Sequence, residues 1–166
     1  MSGLIRNLLT FILALFSRGQ FGSQSRVSCY FLVTPFDCGT SVLKSDKYLQ
    51  LVEAAQLDFL VKTKLIGNLM RNGIQFVNTS QLLKFIRPVK VCSRVRIDTS
   101  IIYADEKCAY FSHSFFLQDQ QHGEVLVKMK FKRGGVTVAP TEIAGKLPSA
   151  KPEHLRAWDQ TLAAMP

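Results

Sequence analysis

Asp37 is the residue of this chain best placed to do chemistry, because it lies in a short polar loop, Asp37 to Lys44, directly ahead of a helical segment that opens at Ser45. A carboxylate facing a helix N-terminus can act as a base or nucleophile. The backbone N–H groups around Ser45 to Lys47, aided by the helix dipole, can hold the charge that develops on an attacked carbonyl oxygen. The plain alternative is that Asp37 only bonds within its own loop, as Asp often does in turns. Asp46 satisfies the dipole and would repel an oxyanion, so it reads as a capping or solvent-facing residue. Glu53, further along the helix, reads as a solvated charge. His113 falls on an apolar strand face, where a satisfied core imidazole is the expectation. His122 and His154 fall in a turn and a tail helix and are assigned no chemistry. Cys29, Cys38, Cys92 and Cys108 form no CxxC pair and have no His at ligand spacing. They are expected to be reduced packing residues, and no metal site is expected.

These residues must be positioned by the segment Ser45 to Gly67, the one strong helix among segments that otherwise read as strands. Tyr48, Leu51, Val52, Ala55 and Phe59 recur at helical spacing and form one apolar stripe. Ser45 is expected to cap its start and Gly67 to end it. Val27 to Phe36 is β-branched and aromatic, a first strand. Ile74 to Ile86, Ser93 to Tyr103, Lys107 to Leu117 and Glu124 to Lys132 follow the helix as four more strands, with an irregularity expected at Asn78 to Gln81. Short turns join these last four into an antiparallel meander, and a lone amphipathic helix must lie on the resulting sheet. A short segment after Gly135 can extend the sheet edge. The tail is helical after Pro152, with Leu155, Trp158 and Leu162 as its docking stripe. The chain divides into an apolar helix and linker over 1–26, an α+β domain over 27–140, and a linker with a C-terminal helix over 141–166.

Gly3 to Phe16 is nearly all apolar, but its fourteen residues fall short of the ~20 that a spanning helix requires, and no small-x-small cleavage site follows it. Leu8, Leu9, Ile12, Leu15 and Phe16 give it an apolar face, with Arg6 and Arg18 available to anionic headgroups. A contact with a membrane surface is therefore expected, the alternative being a helix packed on the domain or on a partner subunit. The formal charge of +9 calls for an anionic partner. Lys128, Lys130 and Lys132 share one face of the last long strand, and Arg94 and Arg96 share a face of another. Either set could hold phosphates or serve as a solvated sheet edge. Nucleic acid is disfavoured, because the aromatic residues interleaved with these lysines alternate toward the core.

The order strand, acid-bearing loop, long helix, antiparallel meander resembles the hotdog fold over roughly residues 27 to 133. Thr34 to Gln56, TPFDCGTSVLKSDKYLQLVEAAQ, is similar to the acyl-CoA thioesterases of the 4-hydroxybenzoyl-CoA thioesterase type. There an acid sits in the loop after the first strand, a Tyr in the first helical turn and an acidic or small pair a turn later, places held here by Asp37, Tyr48 and Glu53 to Ala55. The apolar N-terminal segment and the Trp-bearing tail resemble a membrane-associated branch.

The resemblance implies a curled sheet of five to six strands around one helix. It also implies a homodimer or higher homo-oligomer and hydrolysis of a fatty acyl-CoA or related thioester without a cofactor, coenzyme A being part of the substrate. In these terms Asp37, Ser45 and Glu53 are the candidate catalytic positions, since related enzymes can carry their carboxylate on the helix. Tyr48, Lys128, Lys130 and Lys132 are the candidate substrate-binding positions. The expected location is the cytoplasm, at the inner face of a membrane. One departure bears on activity: the family's Gly-His-x-Asn-Asn type of run is replaced by Thr40 to Asp46, which holds neither His nor Asn. It sustains an alternative, a non-catalytic module that binds an acyl group or a partner protein. It also argues against a dehydratase, which would want a His in that loop.

Overall fold

The computed structural model of the chain describes residues 3–16 and 21–166. Helix α1 covers Gly3–Leu15, strand β1 Val27–Leu32, helix α2 Ser45–Lys62 and helix α3 Leu65–Arg71. Strands β2 (Ile74–Phe85), β3 (Arg94–Ala104), β4 (Ala109–Leu117), β5 (Gln120–Arg133) and β6 (Val136–Val138) follow. Helices α4 (Pro140–Ala144) and α5 (Glu153–Ala163) end the chain. The strands form one antiparallel sheet in the order β1-β3-β4-β5-β2, with β6 paired to β5 beyond the end of β4. The architecture is α+β, a curled sheet holding α2 on its inner face.

Alternation along the strands builds the core. Cys29 and Phe31 of β1, Val95 and Ile97 of β3, Phe111 and Phe115 of β4, and Val125, Val127 and Met129 of β5 meet Tyr48, Leu51, Val52, Ala55 and Phe59 of α2. These are the helical stripe and strand faces that periodicity predicts. The outer face carries a second, smaller cluster, where Leu155 and Trp158 of α5 cover Cys108, Tyr110 and Leu126.

Three local expectations are corrected. Ser45 is the first helical residue rather than the cap; Lys44 holds the capping position, and no side chain caps the helix. Gly67 does not end the helix. The break comes earlier, at Lys64 in a left-handed conformation (φ 62°), and Gly67 lies inside α3, which ends near Gly73 (φ 59°). Gln120 to Gly123, the segment that holds His122, belongs to β5 rather than to a turn, because β4 and β5 close tightly about Gln118 and Asp119, with Leu117 opposite Gln120. The irregularity expected at Asn78 to Gln81 is a register shift between Asn78 and Ser80.

Helix α1 packs along α2 with its polar stripe inward. Arg6, Thr10 and Ala14, spaced four apart, are buried, while Leu8, Leu9, Ile12, Leu15 and Phe16 are exposed. Arg6 is only 3% exposed, so it is not available to a headgroup, which corrects the expectation for that residue. Arg18 lies outside the described residues.

Candidate active site

Asp37 ends a 3-10 turn, Pro35–Asp37, and its backbone carbonyl accepts from Lys44 at the mouth of α2. Its side chain turns elsewhere. One carboxylate oxygen takes the Arg6 guanidinium at 2.5 Å, and the other takes the Thr34 backbone N–H at 3.0 Å and hydroxyl at 2.7 Å. Burial alone would raise the pKa of this carboxyl, but the bonds from Arg6 and Thr34 outweigh it and hold the group below the ordinary carboxylate range. A carboxylate so engaged is a weak base and a poor nucleophile. Asp37 lines neither the cavity beside Tyr48 nor the one beside Glu53.

Ser45 is exposed at the start of α2. Of the amides expected to polarise a carbonyl, that of Lys47 already donates to the Lys44 carbonyl at 3.0 Å. Tyr48 is buried, its ring edge-on to Phe85 at 5.2 Å and tilted against Phe115 at 4.9 Å, and it lines a cavity of about 320 Å³ with Leu43, Ile86 and Pro88. Gly123 makes room for that ring, since a Cβ there would stand 3.3 Å from both Tyr48 and the Lys84 carbonyl.

Lys128, Lys130 and Lys132 alternate with the core-facing residues of β5, so within one chain the sheet separates them from α2. Lys128 is tied to Asp159 of α5 at 2.8 Å, and the same carboxylate takes Lys151 and, at 2.7 Å, the Tyr110 hydroxyl. Burial would raise the Asp159 pKa, but these three donors bring it down to about 2.

Glu53 and a set of buried polar side chains meet where α1, α2 and β2 converge. Asn7, Glu53, Gln56, Leu57, Phe76 and Asn78 line a cavity of about 250 Å³ there. Glu53 and Gln56 are three residues apart and so are neighbours on the helix surface. Glu53 is exposed at the rim, while Gln56 is 1% exposed. Gln56 and Asn78 pair through their amides, with Asn78 Nδ2 donating to Gln56 Oε1 at 3.1 Å and the return contact at 3.5 Å. Behind them Gln56 Nε2 meets His113 Nε2 at 3.5 Å, and His113 Nδ1 meets the Thr99 hydroxyl at 3.0 Å.

The protons in this chain follow from its ends. An amide NH2 can only donate, so His113 Nε2 accepts and Nδ1 carries the hydrogen to Thr99. Burial drives the His113 pKa down to about 3, which keeps the ring neutral and suits that arrangement. Gln56 is thereby held from two sides. Asn78 spends one N–H on Gln56 and keeps a second for whatever occupies the cavity. The register shift next to Asn78 is a local kink of the kind that re-aims a side chain beside a site. Sequence reasoning missed Gln56, Asn78 and Asn7. The signals were an amide on a flank of an otherwise apolar helix and a polar residue on the inward phase of β2.

An antiparallel sheet curled around a central helix is the hotdog architecture. The chain belongs to the thioesterase-like superfamily, whose family model matches residues 37–158. Among solved structures it is similar to a probable thioesterase, YbaW, from Escherichia coli (17% identity, TM-score 0.65, covering 69% of this chain and 90% of that one). It is likewise similar to a probable thioesterase from Bartonella henselae (16%, 0.62, 69% and 98%). A third similar structure is an aspartate-to-asparagine mutant of 4-hydroxybenzoyl CoA thioesterase complexed with 4-hydroxybenzoyl CoA (14%, 0.64, 72% and 98%). At these identities the likeness is one of fold. No curated protein matches the chain.

Proposed function

We propose that this protein hydrolyses an acyl-CoA thioester in the cavity between α1, α2 and β2, with Glu53 as general base and Asn78 as the oxyanion donor. One observation carries the choice: Glu53 shares a cavity with a fixed amide pair, whereas both oxygens of Asp37 are engaged outside it. In this reading Glu53 takes a proton from water, and the resulting hydroxide adds to the thioester carbonyl carbon. The free N–H of Asn78 holds the oxyanion while Gln56 and His113 keep that amide in place. Collapse breaks the C–S bond, and the proton held by Glu53 passes to the leaving thiolate, giving a carboxylic acid and a free thiol. No cofactor takes part, and coenzyme A is the leaving thiol.

A homodimer fits this reading, because Lys128, Lys130 and Lys132 lie across the sheet from the cavity and a second copy is what would bring such a face to the phosphates of coenzyme A. Contact of α1 with a membrane, at its cytoplasmic face, belongs to the same reading. The test is thiol release from a series of acyl-CoA substrates. Turnover that falls 10²-fold or more in Glu53→Gln, within the ~10²–10⁴-fold range for general acid-base catalysis, and stays near the parent's in Arg6→Met/Asp37→Asn, which removes the loop carboxylate together with its counterion, supports the assignment. The buried Arg6–Asp37 pair sustains a second reading, a non-catalytic module that binds an acyl group or partner protein. No thiol release from any chain length would favour it.

A further inference from the structure

Helix α1 is inverted relative to an ordinary docked helix, and the inversion gives its direction. The inward stripe is Arg6, Thr10 and Ala14, and Asn7 sits on the flank toward β2. The outward face is Leu8 (58% exposed), Leu9 (47%), Ile12 (42%), Leu15 (58%) and Phe16 (80%). The buried bond from Arg6 to Asp37 pins that orientation, since any rotation that hid the leucines would pull the guanidinium from its carboxylate. Thirteen residues make a rod of about 20 Å, which cannot cross a hydrocarbon core of about 30 Å, and none of the described helices is long and apolar enough to do so. An apolar face on a helix that cannot cross suits the plane of a bilayer surface. The net charge of +9 favours an anionic one.

The same helix walls the Glu53 cavity. Asn7 lines it, and half-buried Phe11, one turn on, lies on the same flank. The Asn7 Oδ1 atom is buried with no hydrogen-bond partner among the described residues, so the cavity holds an acceptor waiting for a donor such as the amide N–H groups of a pantetheine arm. Leu57 of α2 and Phe76 of β2 complete an apolar lining.

Resting on the hydrolase reading above, we infer that α1 seats the domain on an anionic lipid surface and that the cavity beneath it takes a long-chain acyl thioester from that surface rather than from bulk water. The acyl chain enters along the Phe11 and Phe76 side of α1, and Asn7 receives an amide N–H of the thiol carrier.

The experiment uses the full chain and vesicles of phosphatidylcholine with phosphatidylglycerol. The parent co-sediments with them, and Leu8→Gln/Ile12→Gln, which touches neither the cavity nor Arg6, lowers vesicle partition at least tenfold. A long-chain 2-oxoalkyl thioether of coenzyme A carrying a diazirine in its alkyl chain, dissolved in the same vesicles, places its adducts on the peptides holding Phe11 or Phe76. Because the probe is not hydrolysed, this readout is separate from turnover and still decides the inference if no thioester is cleaved. Failure of the parent to bind vesicles overturns the inference. So does binding without adducts at those peptides. A parent that sediments as a dimer without lipid binding, and becomes a monomer in Leu8→Gln/Ile12→Gln, overturns it in favour of an interface between copies.

Discussion

Arg6 and Asp37, thirty-one residues apart in sequence, meet at 2.5 Å with side chains 3% and 1% exposed. The pair joins the N-terminal helix to the loop ahead of α2 and removes from that loop the carboxylate best placed by sequence to act as a base. Taking one partner away leaves a buried charge without its counterion, at a cost of about 3–5 kcal/mol. Arg6→Ala is therefore expected to be destabilised by that order in denaturant unfolding. Arg6→Met/Asp37→Asn, which removes both charges, should lose clearly less. Equal losses in the two variants would show that the pair does not hold α1.

Asn78→Ala removes the free N–H without emptying the core, since Asn78 is only partly buried. Loss of one oxyanion donor costs about 10²–10³-fold in kcat. The expected signature is a fall in kcat for thiol release with KM little changed. A change confined to KM would place Asn78 in binding alone.

His113 gives the stability of the fold a pH dependence of definite sign. Its folded pKa is about 3 and its ordinary value 6.5, so between those limits the unfolded chain binds a proton that the folded chain does not. Stability is full above the ordinary value and falls as pH drops below it, by about 1.4 kcal/mol per pH unit for one such group. Unfolding midpoints measured from pH 7 to pH 4 should show this slope, and His113→Gln should flatten it.

Asp159 acts in a lower window. With a folded pKa of about 2 against an ordinary value of 3.8, its contribution is present above pH 4 and is lost as pH falls toward 2. The group holds Lys128, Lys151 and the Tyr110 hydroxyl beside Trp158, whose ring lies 6.2 Å from that of Tyr110. The fluorescence of Trp158, the only tryptophan, should report release of α5 across that window. In Asp159→Asn the release should already be advanced at neutral pH.

Gly123→Ala places a methyl group 3.3 Å from the Tyr48 ring and from the Lys84 carbonyl. Overpacking of this kind costs about 1–3 kcal/mol. A loss in thermal or denaturant stability of that size is expected, and Gly123→Ala with unaltered stability would mean that β5 yields at this point.

Much of the fold was legible in the sequence because it rests on local periodicity. The spacing of Tyr48, Leu51, Val52, Ala55 and Phe59 and the alternation in β3, β4 and β5 each fix a face, and an amphipathic helix beside an antiparallel meander has few ways to hide both faces at once. The docking stripe of α5 was legible for the same reason. Local breaks were less so: Gly67 carries the usual sign of a helix end, yet the chain turned at Lys64, because a single residue's preference for the left-handed region is worth less than the packing of the two flanking helices.

The site divided along the same line. The sequence by itself determined the hotdog resemblance, the helix at its centre, the acids Asp37 and Glu53 on either side of the helix start, and the apolar face of α1. Only the tertiary structure decided that Arg6 reaches Asp37, that Gln56, Asn78, His113 and Thr99 form one hydrogen-bonded chain, and that Asn7 walls the cavity beside Glu53. Periodicity reports which way a side chain faces along its own element. A bond between elements depends on register and docking, which are set by the summed packing of the whole core.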